Sequence, residues 1–174
     1  MSRALREIAF HEAGHAVACI ALREDFGCVS IEFNDDSAGR VKTVPLSEEQ
    51  QEYYELPSRP AAIRWWDNRI IIAMAGNICQ AMAGYAPFSD KEPFAVDTDS
   101  RWITQHVPED FYQIDADGRL CLPEKYTASA HEILAAWWPG VKALVAALLV
   151  HKTLSACCVR AIVKAAMDTK SAEE

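Results

Sequence analysis

Ala9-Phe10-His11-Glu12-Ala13-Gly14-His15-Ala16-Val17 places two histidines four residues apart, with a glutamate directly after the first. Around it Leu5, Ile8, Ala9, Ala13, Ala16, Val17, Ile20 and Ala21 recur at intervals of three and four, which predicts a helix over about residues 2–23. Positions four apart share a helix face, so the two imidazoles can meet one Zn²⁺ at about 2.0–2.1 Å while Glu12 reaches a water bound to that metal. Zinc lowers the pKa of such a water towards about 7 and polarises a carbonyl, and a carboxylate beside it takes the proton and returns it to the leaving amine. His11 and His15 are therefore candidate zinc ligands and Glu12 the candidate general base. The competing reading is a chance H-E-x-x-H match on an exposed helix.

Outward from this helix, Val29, Ile31 and Phe33 alternate with Ser30 and Glu32, and turn residues Asp35-Asp36-Ser37-Ala38-Gly39 precede a second extended run over residues 40–44. A β-hairpin with one buried face is expected there. Residues 45–60 are polar and hold a Ser47/Gln50 capping pattern, and residues 61–84 read as a helix that stops at Gly84. A loop over 85–93 leads to a helix over about 98–107, with Asp97 and Asp99 at its start. Residues 108–127, rich in turn formers, read as loops or a short helix, with Asp115-Ala116-Asp117-Gly118 as a turn rather than a calcium loop. Ser129 and Glu132 suggest a cap ahead of a long apolar helix; a final helix spans about 155–167, and residues 168–174 are expected to fray. The fold class expected is mainly α with one small β-hairpin, in a single domain over residues 1–174.

With 174 residues, 51% hydrophobic, and 17 basic against 25 acidic side chains for a net charge of −8, the composition suits one globular domain and argues against a general nucleic-acid binder or a polybasic membrane helix. No export signal is read at the start, and the expected location is the cytoplasm. Residues 70–88 and 133–150 approach membrane-spanning length, but Gly76, Asn77, Gln80 and Gly84 interrupt the first, and Trp137-Trp138-Pro139-Gly140 the second. Helices buried in a core are expected, with no membrane insertion. The six cysteines form no CxxC, so they read as reduced, buried small hydrophobes. His106, His131 and His151 lack a spacing that would join them to the first helix and read as surface or structural histidines; the Trp65-Trp66 and Trp137-Trp138 pairs read as core, with one ring of each outward.

The stretch over residues 9–17 resembles the active-site helix of the peptidase domain of FtsH-type ATP-dependent zinc proteases, with glycine before the second histidine and a small residue after it. Weaker similarity extends along most of the chain. The hairpin region matches in position, Ala75-Gly76-Asn77-Ile78-Cys79-Gln80 stands where that family has Gly-Gly-Arg-x-Ala-Glu, and the last two helices are similar. The resemblance implies a zincin-like metalloendopeptidase acting on unfolded or flexible peptides, with an aspartate at the start of the next helix as third zinc ligand. In the family, small or apolar residues follow that ligand at four and eight positions. Asp99 is followed so by Ile103 and Val107, whereas Asp97 meets Arg101 and Gln105; Asp99 is the preferred ligand and Asp97 the alternative, otherwise an N-cap.

Two departures from the family matter. Gln80 replaces a glutamate that orients a zinc-binding histidine, which implies weakened metal binding or activity. The sequence also holds no G-x-x-x-x-G-K-[ST] loop, so a separate ATPase or adaptor is expected to supply unfolded chains. These departures motivate a second hypothesis, a weak or inactive zinc-binding interaction module; a metal-free helical scaffold is the third.

Overall fold

Small side chains set how closely the first helix can be approached. In the computed structural model, which describes residues 3–32, 39–43, 60–85 and 98–173, helix α1 (Arg3–Leu22) buries Ala9, Ala13, Gly14, Ala16, Val17, Ala18 and Cys19. Helix α2 (Pro60–Met82) packs against this face almost backbone to backbone. A Cβ on Gly14 would overlap the carbonyl oxygen of Ala75 and stand 2.7 Å from Cys79 Cβ. Pro60 opens α2 at a position where its missing N–H costs nothing, and Gly84, at φ +81, turns the chain out of the helix as expected.

Helix α2 also separates two apolar clusters. Ile72, Ala75 and Cys79 join α1 and the C-terminal helices in the larger one. Trp66, Ile70, Ile71 and Ala73 form the smaller with Ile103 and Val107, and with Tyr126 and Ala130. Ile103 lies in α3 (Thr98–His106), which Val107 follows directly; Tyr126 and Ala130 lie in α4 (Glu124–Ala136). Helix α5 (Trp138–His151) and helix α6 (Ala156–Glu173) complete the six helices among the described residues. A Cβ on Gly140 would lie 2.9 Å from Val163 Cγ1, so α5 and α6 also meet closely.

The hairpin is present with a shifted first strand. Strand β1 runs Phe26–Ser30 rather than 29–33 and pairs antiparallel with β2 (Arg40–Thr43), Ser30 opposite Arg40 and Val29 opposite Val41. Val29 and Ile31 remain buried, so the expected inward face is retained. Sequence patterning missed a third strand, Thr153–Ser155, which is too short to show alternation. It pairs antiparallel with β1 on the side away from β2, Ser30 Oγ lies 2.8 Å from Thr153 Oγ1, and Lys152 at φ 63 makes the reversal from α5. In chain order it is β5, because a two-stranded ribbon precedes it: β3 (Gln113–Ile114) against β4 (Leu120–Cys121). Within the ribbon's turn Asp115 Oδ1 accepts N–H bonds from Asp117 (2.9 Å) and Arg119 (2.8 Å), and Gly118 has φ +77. That geometry is a turn, as expected, and it spends the Asp115 carboxylate on the backbone.

Other expectations need correction. Helix α4 begins at Glu124, behind Pro123, so Ser129 and Glu132 lie inside it and form no cap; the proline's fixed φ starts the helix earlier than the S-x-x-E pattern suggests. The apolar stretch over 133–150, by contrast, is interrupted where Trp137-Trp138-Pro139-Gly140 led to the expectation of a break: α4 and α5 meet there at 77°. Among the described residues no single helix is long and apolar enough to cross a membrane; only that bent pair, taken together, is. Helix α6 continues to Glu173 through the segment expected to fray, and Thr169 Oγ1 donates to Ala165 O. Trp66 is buried and Trp65 partly exposed, as the pair's spacing implied. The Ser47/Gln50 cap, the turn at residues 35–38, most of the 85–93 loop and Asp97 lie outside the described residues.

All six cysteines are free, but Cys121, Cys157 and Cys158 are exposed, and only Cys19 and Cys79 are fully buried. The expectation of buried small hydrophobes thus fails for the three that sit in the outer ribbon and the first turn of α6. Burial pushes the Cys19 and Cys79 thiols up to about 12.

Two outcomes follow. Gly14→Ala lowers stability by about 1–3 kcal/mol in urea titration, because the added methyl meets a backbone oxygen that cannot step aside; unchanged or raised stability, as on an exposed helix, contradicts this packing. Iodoacetamide on the native protein modifies Cys121, Cys157 and Cys158, while Cys19 and Cys79 react only after unfolding, which peptide mass spectrometry reads directly.

Candidate metal centre

Three helices each bring part of the site. Helix α1 supplies His11, Glu12 and His15 on one face, α2 supplies the floor, and α3 supplies Asp99 from its first turn. His11 Nε2 lies 3.0 Å from His15 Nε2 and 3.1 Å from Asp99 Oδ2; His15 Nε2 lies 3.4 Å from that same oxygen. Donors held about 2.0–2.1 Å from a tetrahedral zinc stand about 3.3 Å from one another, which is the size of this triangle. The residues present therefore fit the metal that the motif implies.

The outer ring nitrogens are held in a way that turns Nε2 inward. His15 Nδ1 donates to the carbonyl oxygen of Ile72 at 2.7 Å; a carbonyl only accepts, so the neutral imidazole leaves its Nε2 lone pair free for a metal. His11 Nδ1 lies 3.3 Å from Gln80 Oε1, and Gln80 Nε2 donates to Glu7 O at 3.1 Å, which fixes the amide with its oxygen towards His11. Gln80 is buried, 2% exposed. The amide that stands in place of the expected glutamate thus makes a contact to His11, without the carboxylate's charge.

Glycine makes room for the pair. A Cβ on Gly76 would stand 2.5 Å from His15 Nε2 and 2.7 Å from His11 Cε1, so the imidazoles rest on the bare backbone of α2. Gly39, just before β2, plays the same part for the base: its Cβ would lie 2.7 Å from Glu12 Oε1.

The charges favour a cation at the centre. Burial pushes the Glu12 carboxyl above its usual range, and the two histidines draw it partly back. For His15, burial alone would lower the pKa, but the carboxylates of Asp99 and Glu12 and the Ile72 carbonyl outweigh it and hold the ring up to about 9. Burial would raise Asp99, yet the two histidines outweigh it and hold the carboxyl well below the usual range. Positive charge between Asp99 and the histidines is thus stabilised, and a metal satisfies the same demand more fully than a proton.

His11, His15 and Asp99 form a group of donors whose ligand atoms all lie within 4.8 Å of one another, and neither Glu12 nor Cys19 belongs to it. The expected preference for Asp99 agrees with its helix face, since Ile103 and Val107 are buried beneath it. His106, His131 and His151 are exposed, and His106 stacks on Trp102. The donors open into a cleft of about 350 Å³ whose other walls include Cys19, Arg40, Val41, Arg69, Ile72 and Trp102. These were not anticipated, although helical spacing from His15 to Cys19 and from Asp99 to Trp102 contains the signal. The sequence matches no protein-family model and no curated protein.

Removing the Gln80 contact should loosen His11: Gln80→Ala lowers zinc affinity about 10–100-fold in competition with a chromogenic chelator, and Gln80→Glu retains it. Equal affinity in the alanine variant would show that the amide does not orient the ring.

Proposed function

We infer that the chain is a zinc-dependent metalloendopeptidase of the kind its active-site helix resembles, with His11, His15 and Asp99 holding Zn²⁺ and Glu12 as general base. The observation that carries this reading is the separation of roles. Three side chains converge as donors, one fewer than a closed structural zinc site would use, and a buried carboxylate stands beside them without joining the set. A closed structural zinc site has four protein ligands and no use for such a base. The Gln80 side-chain amide and the bare backbone at Gly76 support the reading further, because the first orients and the second accommodates the candidate ligand imidazoles.

When bound, the metal supplies a Lewis acid and a water of lowered pKa. Glu12 accepts a proton from water as the water oxygen adds to the scissile carbonyl carbon, and delivers it to the amide nitrogen as the C–N bond breaks. Burial raises the Glu12 pKa, which strengthens it as the acceptor of that proton. Asp99 and the histidines stay ionised or neutral as ligands, and Ile72 O and Gln80 Oε1 keep the rings from turning.

Among the described residues the strand order β2-β1-β5 leaves β2 at the edge, and Gly39, Arg40 and Val41 border the cleft. An extended peptide can add to that edge as a further strand, so the substrate is an unfolded or flexible segment rather than a folded domain. A separate ATPase or adaptor would then deliver such segments, in the cytoplasm.

Glu12→Gln decides the mechanism. Turnover of an unstructured, casein-like substrate falls about 10²–10⁴-fold while zinc content stays at one per chain; full turnover in that variant contradicts Glu12 as base.

A further inference from the structure

We propose that the cleft selects a substrate carboxylate, bound by the Arg69 guanidinium, on or next to the residue adjoining the scissile bond. The proposal deepens the metallopeptidase reading and rests on it.

Helix α2 passes beneath the donors at Gly76, holds His15 through Ile72 O, and continues one turn further back to Arg69. Seven residues of helix separate Arg69 from Gly76, a rise of about 10 Å, and on α1 Cys19 lies one turn, about 6 Å, beyond His15. The same cleft is lined by the metal donors and, about two helical turns away along α2, by Arg69, with Cys19 near it on α1.

Arg69 is placed for a ligand rather than spent on the fold. Among the described residues it makes no ion pair and no hydrogen bond, and its buried Nε lacks a partner. Its guanidinium lies over the Trp65 ring, 5.0 Å to the centroid, a contact that leaves its N–H fork available. That fork matches a carboxylate in two parallel hydrogen bonds.

Charge balance points the same way. The acidic groups lining the cleft are Glu12 and Asp99, both at the metal end. A divalent cation there offsets them, which leaves Arg69 and Arg40 as the charges lining the rest of the cleft; Glu24, which also acts on Cys19, lies outside the lining and accepts from Asn68 Nδ2 at 2.9 Å. The intervening wall is apolar, Ile72 and Ala73, so the field is weakly screened. A basic side chain entering this end is repelled and an amide leaves the guanidinium half satisfied, whereas a carboxylate meets it fully. The carboxylate can belong to Asp or Glu or to a free chain terminus; both present the same two oxygens.

The test uses the zinc-loaded chain and C-terminally amidated, fluorescently labelled octapeptides carrying Glu, Gln or Lys at each position in turn, plus a Gln peptide with a free C-terminus. Cleavage beside Glu exceeds that beside Gln by at least tenfold in kcat/KM, and Arg69→Glu inverts the order so that the Lys peptide is preferred. A preference confined to the free C-terminus assigns the carboxylate to the chain end instead of a side chain. Equal cleavage of all four peptides, or a carboxylate preference that survives both Arg69→Glu and Arg69→Gln, overturns the proposal. If no peptide is cleaved, the peptidase reading fails by itself. Fluorescence anisotropy with the zinc-loaded Glu12→Gln protein then decides Arg69 separately: at least tenfold tighter binding of the Glu peptide, lost in Arg69→Gln, supports it, and equal binding overturns it.

Discussion

The histidine pair depends on how closely α1 and α2 approach. Gly14 lets the backbone of α1 sit on the Ala75 carbonyl, and Gly76 then leaves a shelf of bare backbone on which both imidazoles rest. A Cβ at either position would stand under 3 Å from these neighbours, so the rings or the helices would have to move. From that contact the other parts follow: Ile72 O comes within 2.7 Å of His15 Nδ1, Gln80 reaches His11, and α2 packs Ile70 and Ile71 against Ile103 of α3, the helix that brings Asp99 to the histidines. Packing and chemistry share the same few residues.

This arrangement places the polar groups in a buried setting without leaving them idle. Glu12 and Gln80 are 5% and 2% exposed, and each faces a histidine or its ligands. Burial is what raises the Glu12 carboxyl, and the neighbouring cations or a metal are what keep it usable. A base in water would have neither property. The cleft extends that logic from the metal to Arg69, whose charge is held by an aromatic ring and left available at its fork.

Much of this was legible in the amino-acid order because the signals are local. The three- and four-residue spacing around His11 yields α1, its shared face yields the two histidines and Glu12, and the spacing from Asp99 to Ile103 and Val107 selects the third donor once the family pattern is in mind. Signals spread over distance were not legible. β5 is three residues long and exists because Ser30 and Thr153 meet across 123 positions; the start of α4 is set by Pro123 rather than by the Ser129 pattern; Arg69 shows no motif, and only the crossing of α1 and α2 brings it beside Cys19. Gln80 was legible as a departure but not as a replacement, since an amide's usefulness depends on which end faces the ring, and Glu7 O determines that.

The central claim is a zinc held by three side chains with one position open. X-ray absorption at the zinc edge, measured on the wild-type chain and on Asp99→Asn, tests it most directly. The account predicts one zinc with two imidazole nitrogens and two light oxygen donors at about 2.0–2.1 Å, one of them exchangeable water, and a changed first shell in Asp99→Asn. A shell containing sulfur, four protein donors, or one identical in Asp99→Asn would contradict it.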